Sequence, residues 1–347
     1  MKRHGDLWDK ITDLENIRQA HYAARKGKSH YTEVKWVNAN EEEALKAIQL
    51  SLIRRTFTTS PYEVEDRFDG RKMRTIHKLP YYPDRIVQHA LVQVCEPIWK
   101  ASFIRDTFQS ITGRGTHDAR KRVKMAVRNH PDAYILKFDI QKYYPSVDND
   151  VMKEKVRRKI KCQKTLWLLD DIIDSCKGLP IGNYTSQYLG NVYLSDFDWY
   201  VKQAIKPLAY FRYCDDLVIF ARDANQAHDI RREIFAILER RYRVGIKKDW
   251  QVFPLASRGL DFVGFVFRPS HLRLRKNIAK GVREKAKAIR KSGLTMSPYK
   301  VVNGAGSYWG WCKYGGAKAL WAKVMTAPVL ATIGQCKSRI RELQQCA

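Results

Sequence analysis

The 347-residue chain carries 64 lysines and arginines against 36 aspartates and glutamates, a formal net charge of +28 at pH 7. At 44% hydrophobic residues it has the composition of a folded protein rather than a disordered one, and its charge favours a polyanionic partner, nucleic acid before an anionic membrane surface. The seven cysteines show no spacing typical of a zinc site or a disulfide framework. No apolar run reaches the length of a membrane span and no signal peptide follows Met1, so we expect a cytoplasmic protein.

Residues 1–60 favour mixed-charge helices, to which we assign no chemistry. A glycine-bearing turn at Gly70 then precedes Lys72 and Arg74, which alternate with uncharged residues in a hairpin-like pattern. Lysine and arginine are the residue types that neutralise developing phosphate charge, although a charged surface hairpin accounts for this stretch better when it is taken alone. An amphipathic helix follows from about Ile86.

A second glycine-rich stretch surrounds Arg114, which lies between Gly113 and Gly115. Paired glycines allow a backbone to approach a template strand closely, and Arg114 is placed to contact either a phosphate or the neighbouring sheet. A plain surface loop remains an alternative.

Two apolar, β-prone runs end in carboxylates. Residues 134–138 lead into Asp139, and residues 209–212 lead into Tyr213-Cys214-Asp215-Asp216, which a second apolar run follows. The latter pattern predicts two strands joined by a tight turn with acids at its tip. A surface turn explains that motif alone equally well. Two carboxylate-tipped strands, however, are what a two-metal phosphoryl-transfer site requires, because Mg²⁺ prefers carboxylate and phosphate oxygens.

Between and after these strands, Gly178 and Pro180 break the chain, and Thr185 or Ser186 is placed to cap a helix. Residues 229–243 predict another helix. Lys247-Lys248 reads as a solvated pair more readily than as a general acid, and residues 259–265 alternate as one strand.

The chain from His271 onward concentrates the positive charge, with 16 lysines and arginines against two glutamates. It also holds Trp309 and several other aromatic residues. Cations interleaved with aromatics suit backbone neutralisation and base stacking, whereas packing within the segment's own core explains most of the aromatics more simply.

These motifs together resemble those of reverse transcriptases over roughly residues 70–315. Tyr213-Cys214-Asp215-Asp216 resembles the Tyr-x-Asp-Asp box, and Phe138-Asp139-Ile140 with Tyr143-Tyr144 resembles the first palm motif. The resemblance implies an α+β right-hand polymerase with fingers, an antiparallel-sheet palm and a helical thumb. Its expected parts are an N-terminal extension and fingers (1–132), a palm with interleaved fingers elements (133–268) and a basic helical thumb (269–347).

The resemblance also implies roles for individual residues. It makes three acids catalytic: Asp139, Asp215 and Asp216. Two Mg²⁺ ions, with Mn²⁺ as an alternative, are expected on Asp139, Asp215 and the Ile140 carbonyl. The expected nucleotide contacts are Lys72, Arg74, Tyr144, Ile181, Gly182 and Gln187, with Tyr144 as an aromatic gate against a ribose 2′-hydroxyl or simply a core residue. The expected nucleic-acid contacts are Arg114, Trp309 and Gly264, the last in a segment similar to the primer-grip hairpin.

One loop narrows the resemblance further. Most reverse transcriptases resemble Leu-Pro-Gln-Gly-x-x-x-Ser-Pro here, but this chain has Ile181 in place of the Gln and Gln187 in place of the last Pro. That pattern is similar to the reverse transcriptases of diversity-generating retroelements. It implies cDNA synthesis from a template RNA and primer with dNTPs, errors at template adenines, and a small basic accessory protein. The alternatives are a retron, group II-like or phage-defence reverse transcriptase, or a non-catalytic RNA-binding protein.

Overall fold

The computed structural model describes residues 3–69 and 72–345. The chain divides into two compact units. The first comprises residues up to Gly115 together with Leu136–Ile219 and Asn225–Gln251. The second comprises Thr116–Ile135, Phe220–Ala224 and the chain from Val252 onward.

The first unit begins with helices that cover a long central helix. Asp13 caps the second of them by accepting a hydrogen bond from the Asn16 backbone N–H, and the Asn16 side chain donates to the Ala90 carbonyl of the long helix at 3.1 Å. These five helices are α1 (Trp8–Thr12), α2 (Leu14–Ala24), α3 (Thr32–Ala39), α4 (Glu41–Ile53) and α5 (Ile86–Lys100).

An antiparallel hairpin separates α4 from α5, as the sequence around Gly70 predicts. Its strands are β1 (Glu63–Asp69) and β2 (Lys72–Lys78), with Asp69 opposite Lys72 and Val64 opposite His77. Most of the hairpin is exposed, so the pairing of the two strands rather than burial defines it.

A five-stranded sheet carries the acidic turn. Its spatial order is β3-β5-β6-β4-β7, with β3 (Thr107–Phe108) parallel to β5. The predicted strand before Asp139 is confirmed as β4 (Tyr134–Asp139), whose Phe138 packs on Phe235 at 5.1 Å between ring centroids. The predicted hairpin around the Tyr-Cys-Asp-Asp motif is confirmed as well, with strands β5 (Ala209–Tyr213) and β6 (Asp216–Ala221). The edge strand β7 is Gln251–Pro254.

Helices connect and flank these strands. They are α6 (Thr116–Asn129), α7 (Tyr143–Ser146), α8 (Asn149–Arg157), α9 (Gln163–Asp174), α10 (Tyr184–Tyr193), α11 (Ser195–Tyr200) and α12 (Ala224–Tyr242). Helix α12 contains the predicted 229–243 segment except its last residue, and it buries Ile230, Ile234 and Leu238 at helical spacing.

The prediction that Thr185 or Ser186 caps α10 is wrong. The helix begins at Tyr184, and neither Thr185 nor Ser186 caps it. Instead the side-chain oxygen of Gln88 on α5 accepts hydrogen bonds from the backbone N–H groups of Tyr184 at 2.9 Å and Thr185 at 3.4 Å. A residue distant in sequence thus satisfies the N–H groups that a helix leaves unpaired at its start.

The second unit ends in a helical bundle. Residues 259–265 do not form the single strand that their alternation predicts but a tight hairpin, because Val263 and Gly264 both adopt positive φ between two short strands. A hairpin at this place agrees with the similarity of the segment to the primer-grip hairpin. The elements are α13 (Leu255–Arg258), β8 (Leu260–Phe262), β9 (Phe265–Phe267), β10 (Leu272–Leu274), α14 (Lys276–Ser292), α15 (Pro298–Tyr314), α16 (Lys318–Val324) and α17 (Ala327–Gln345). Residues from α14, α15 and α17, such as Ile289, Val301 and Val329, share one apolar core.

The helices and the cysteines can be compared with what the composition predicts. Among residues 3–69 and 72–345, no helix combines the length and the apolar character needed to cross a membrane. The six cysteines in that part of the chain are all free thiols.

Candidate active site

Three backbone segments meet at the acidic end of the sheet. The Ile140 N–H, directly after β4, donates to the Asp215 carbonyl in the β5–β6 turn at 3.0 Å. The Lys247 N–H donates to the Asp139 carbonyl, also at 3.0 Å. These main-chain bonds bring Asp139, Asp215 and Lys247 together although more than 100 residues separate the first from the last.

The turn that carries Asp215 rests on a buried ion pair. The guanidinium of Arg212 and the carboxylate of Asp198 are both 0% exposed and lie 2.6 Å apart, and Arg212 also donates to the Cys214 carbonyl at 3.2 Å. Tyr210 and Thr107 donate their hydroxyls to the same carboxylate at 2.7 and 2.8 Å. Because the pair is desolvated, it persists only through this dense set of hydrogen bonds.

Cys214 needs that support for a conformational reason. Its φ of 57° lies in the left-handed region, which is costly for a residue with a Cβ. The hydrogen bond from Arg212 to the Cys214 carbonyl holds the peptide that leads into Asp215. The buried pair therefore fixes the geometry of the acidic turn.

The acids repel one another and are partly compensated by two lysines. Burial, together with the charge of Asp139, raises the pKa of Asp215. Burial also raises the pKa of Asp216 to about 7, against the opposing effect of Lys137, whose Nζ lies 3.4 Å from its carboxylate. Lys247 Nζ lies 3.4 Å from the Asp139 carboxylate.

These oxygens fit a divalent cation. The Oδ1 atom of Asp216 is buried without a hydrogen-bond partner, and the raised pKa values of Asp215 and Asp216 show that additional positive charge would be favourable here. In the described part of the chain no group of three or more His, Cys, Asp or Glu side chains is arranged to hold a metal. Magnesium sites in phosphoryl transfer typically use one or two carboxylates and complete their shell with substrate phosphates and water.

Two lysines lie beside the acids: Lys137, which the sequence did not indicate, and Lys247, which it offered only as a less favoured general acid. The sequence favoured a solvated Lys247-Lys248 pair over a general acid, and the structure places Lys247, still partly exposed, beside the Asp139 carboxylate. The spacing of Lys137 from Asp139 could have indicated that the two side chains are close. Lys137 lies two residues before Asp139 on the same strand, and alternation places both side chains on one face of the sheet.

Tyr144 contacts the acidic turn. The Cys214 thiol donates to the Tyr144 hydroxyl at 3.7 Å, and burial raises the pKa of this tyrosine, which keeps it neutral. The Leu179 N–H donates to the Tyr144 carbonyl at 2.8 Å. This bond places Tyr144 beside the start of the loop that contains Ile181.

Residues 178–187, a loop that runs into the first turn of α10 and is hereafter called the selection loop, are held by two contacts. In one contact the His77 N–H of β2 donates to the Ile181 carbonyl at 2.8 Å. In the other the Ser110 hydroxyl donates to the side-chain oxygen of Gln187 at 3.0 Å. Within the loop, Ser186 donates to the Pro180 carbonyl at 2.7 Å.

The remaining predicted contacts are distributed over both units. The side chain of Lys72 lies outside the described residues, whereas Arg74 is exposed on β2. Arg114 donates to the Ile104 carbonyl at 2.9 Å and so braces its own loop.

In the second unit, Gly264 lies in the β8–β9 turn, where a Cβ would come within 2.6 Å of the Trp311 ring. Trp309 packs on Trp321 at 5.2 Å between ring centroids and remains 38% exposed. The structure thus gathers Asp139, Asp215 and Tyr144 in the first unit and leaves Gly264 and Trp309 in the second.

Comparison with known proteins supports the fold. The chain is 25% identical to Protein YkfC of Escherichia coli (strain K12) over 307 residues, covering 73% of this chain and 80% of that protein. Apo telomerase from Candida tropicalis matches with a TM-score of 0.51 and 12% identity over 77% of this chain. The same telomerase in complex with a fragment of telomeric RNA matches with a TM-score of 0.51 and 11% identity over 85% of this chain.

The chain spans 60% and 65% of the lengths of those two telomerase chains. At this level of identity the likeness concerns the fold, a mixed α+β right-hand polymerase. The sequence profile described as "Reverse transcriptase (RNA-dependent DNA polymerase)" matches residues 68–267, more than half of the chain and all of the acidic turn. On this match the chain belongs to the reverse transcriptase family, whose activity is RNA-directed DNA polymerisation.

Proposed function

We propose that this enzyme extends a primer with dNTPs on a template RNA, using Asp139 and Asp215 to hold two Mg²⁺ ions, with Mn²⁺ as an alternative. The observation that carries the proposal is the juxtaposition of Asp139 and the Asp215 turn through the 3.0 Å bond from the Ile140 N–H to the Asp215 carbonyl. Reverse transcriptases generally use divalent metal ions. When bound, such ions would activate the attacking 3′-hydroxyl and neutralise the departing pyrophosphate.

The chain's own residues have distinct tasks in this scheme. Asp139, Asp215 and the Ile140 carbonyl supply the metal-facing oxygens, while Asp216, paired with Lys137, supports them. Lys247 compensates the charge of Asp139 in the absence of substrate.

The nucleotide would contact both the hairpin and the selection loop. Lys72 and Arg74 would contact its triphosphate, and Tyr144 would crowd a 2′-hydroxyl and so favour deoxynucleotides. Ile181, Gly182 and Gln187 would line the nascent base pair. Template or primer would be contacted by Arg114 in the fingers (1–132), Gly264 in the palm (133–268) and Trp309 in the thumb (269–347).

The basic surface of α14 supports a nucleic-acid partner. Five exposed cations recur along one face at intervals of four and three residues: Lys276, Lys280, Arg283, Lys287 and Arg290. A row with this spacing on a 17-residue helix is suited to follow a phosphate backbone.

Replacing Lys280, Arg283 and Lys287 with glutamine should weaken binding of a primer–template duplex and reduce its salt dependence. Each lost phosphate contact lowers the slope of log K against log salt by roughly 0.7–0.9, so the slope of the triple variant should fall by roughly 2.1–2.7. Fluorescence anisotropy over a salt series measures this slope. Replacing Lys10, Lys26 and Lys35 removes the same charge, and an equal loss of slope in that control would contradict a specific role for α14.

We further propose that the enzyme belongs to the diversity-generating type and makes errors at template adenines. In this proposal it acts in the cytoplasm together with a small basic accessory protein. The residue that supports this proposal is Ile181, because it places an apolar side chain where most of the family has glutamine. An apolar contact discriminates poorly between bases of similar shape, whereas a hydrogen-bonding side chain rejects a mismatched partner more strongly.

The Ile181→Gln variant tests this subtype. Restoring an amide should lower misincorporation opposite template adenine by about tenfold, the value of one hydrogen-bond contact of roughly 1.4 kcal/mol, while the Ile181→Val control stays close to wild type. Sequencing of cDNA made on an adenine-containing RNA template measures the error rate. Equal adenine errors in wild type and Ile181→Gln would remove the proposed mechanism, and accurate wild-type cDNA would favour a retron, group II-like or phage-defence enzyme.

A further inference from the structure

Among the described residues, one main-chain hydrogen bond joins the β1–β2 hairpin to the selection loop. The donor is the His77 N–H and the acceptor is the Ile181 carbonyl, 2.8 Å apart. In an antiparallel pair the N–H and the carbonyl of one residue point to the same edge, so His77 directs both groups away from its β1 partner Val64. The bond to Ile181 is therefore additional to the hairpin's own ladder.

The same edge of β2 determines the residue that follows Ile181. A Cβ on Gly182 would lie 2.2 Å from the His77 carbonyl oxygen, and Gly182 has a φ of 131°, a conformation that side-chain-bearing residues rarely adopt. The selection loop thus packs directly on the backbone of the hairpin. Glycine is required at this position because no side chain fits between the two backbones.

The selection loop and its helix are braced by further contacts. Ser110 donates to Gln187, and the Asn191 side chain donates to the Gln109 carbonyl at 3.0 Å. Gln109 and Ser110 are successive residues with positive φ, 81° and 53°, which store conformational strain. The hairpin and a strained turn therefore both hold the loop, and within the described residues the hydrogen bond from His77 is the main-chain contact that ties Ile181 to the hairpin.

We propose that the His77–Ile181 hydrogen bond makes the hairpin and the selection loop one nucleotide-selecting unit, in which the position of the hairpin sets the position of Ile181 at the nascent base pair. His77 is a positioning residue here and acts through its backbone. The inference rests on the proposed function, because it takes Ile181 to line the base pair and Arg74, three residues before His77 on β2, to face the triphosphate.

The test removes the donor and leaves the hairpin ladder intact. His77→Pro deletes the N–H that faces Ile181. Thr75→Pro is the matched control, because Thr75 occupies the equivalent outward position two residues earlier on β2, opposite Asp66. His77→Ala keeps the N–H and removes only the imidazole, so it separates the side chain from the backbone.

The first readout is hydrogen–deuterium exchange of residues 178–187 in the full chain without nucleotide, which does not depend on activity. Loss of one hydrogen bond should accelerate exchange in this loop about fivefold in His77→Pro. Thr75→Pro and His77→Ala should match wild type. Equal acceleration in both proline variants, or none in either, would overturn the proposal.

The second readout is the ratio of kcat/KM for the correct over the incorrect nucleotide. It should fall severalfold in His77→Pro and stay unchanged in Thr75→Pro, whereas equal ratios in these two variants count against the coupling. Accurate synthesis by the wild-type enzyme would refute only the adenine-error subtype. The coupling would still be decided by the exchange comparison and by the selectivity of the two proline variants.

Discussion

Replacement of Asp215 with asparagine is expected to lower RNA-templated primer extension by about 10³-fold or more. The substitution keeps the size of the side chain but removes a negative oxygen that we propose to hold a catalytic metal ion, and such an ion contributes several kcal/mol of transition-state stabilisation. Folding should persist, because burial and the nearby charge of Asp139 already raise the pKa of Asp215, so the neutral amide costs the isolated protein little. Single-nucleotide incorporation with Mg²⁺ measures the effect.

The matched control is Asp229→Asn. Asp229 is an exposed acid of the same unit, paired with Arg232 on the surface of α12, and its loss should change extension less than twofold. A thermal melt of both variants verifies that each is folded. Extension by Asp215→Asn within tenfold of wild type would contradict the assignment of the acidic turn as the catalytic centre.

Breaking the buried pair beneath that turn is expected to produce the largest loss of stability. Arg212→Met leaves the carboxylate of Asp198 buried without its cation, and Asp198→Asn leaves the guanidinium without its anion. Removing one partner of a buried ion pair typically costs about 3–5 kcal/mol, because an uncompensated charge remains in the interior. The urea concentration at half-unfolding measures the change.

An exposed pair provides the reference for this measurement. Arg232→Met removes the partner of Asp229 on the surface of α12 and should cost no more than about 1 kcal/mol. Both buried-pair variants should also lose polymerase activity, because Arg212 holds the Cys214 carbonyl before Asp215. Unfolding midpoints of Arg212→Met and Arg232→Met that coincide would show that the buried pair does not stabilise the turn.

Local patterns in the sequence were sufficient to predict the elements that carry the chemistry. Apolar alternation around Tyr213-Cys214-Asp215-Asp216 predicted strands β5 and β6 and the turn between them. The apolar run before Asp139 predicted β4 in the same way, and the helical spacing of apolar residues predicted α12. These features depend on the period of a strand or helix, which neighbouring residues determine.

The long-range partners of those elements could not be predicted from such patterns. Gln88 caps α10 from another helix, and Lys247 reaches Asp139 from more than 100 residues away. Where one strand was expected, positive φ at Val263 and Gly264 produced the β8–β9 hairpin. The hydrophobic periodicity within one segment of the chain does not indicate which distant segment it will contact.

The sequence by itself therefore determined the family motifs, the strand-borne acids Asp139 and Asp215 and the basic character of the C-terminal helices. Only the tertiary structure decided how the acids are supported, through Arg212 and Asp198, and how the selection loop is tied to the hairpin through His77. The physical reason is that the periodic patterns that predict strands and helices involve only residues a few positions apart in the sequence. Desolvated ion pairs and main-chain bonds between loops form only once folding brings distant segments together.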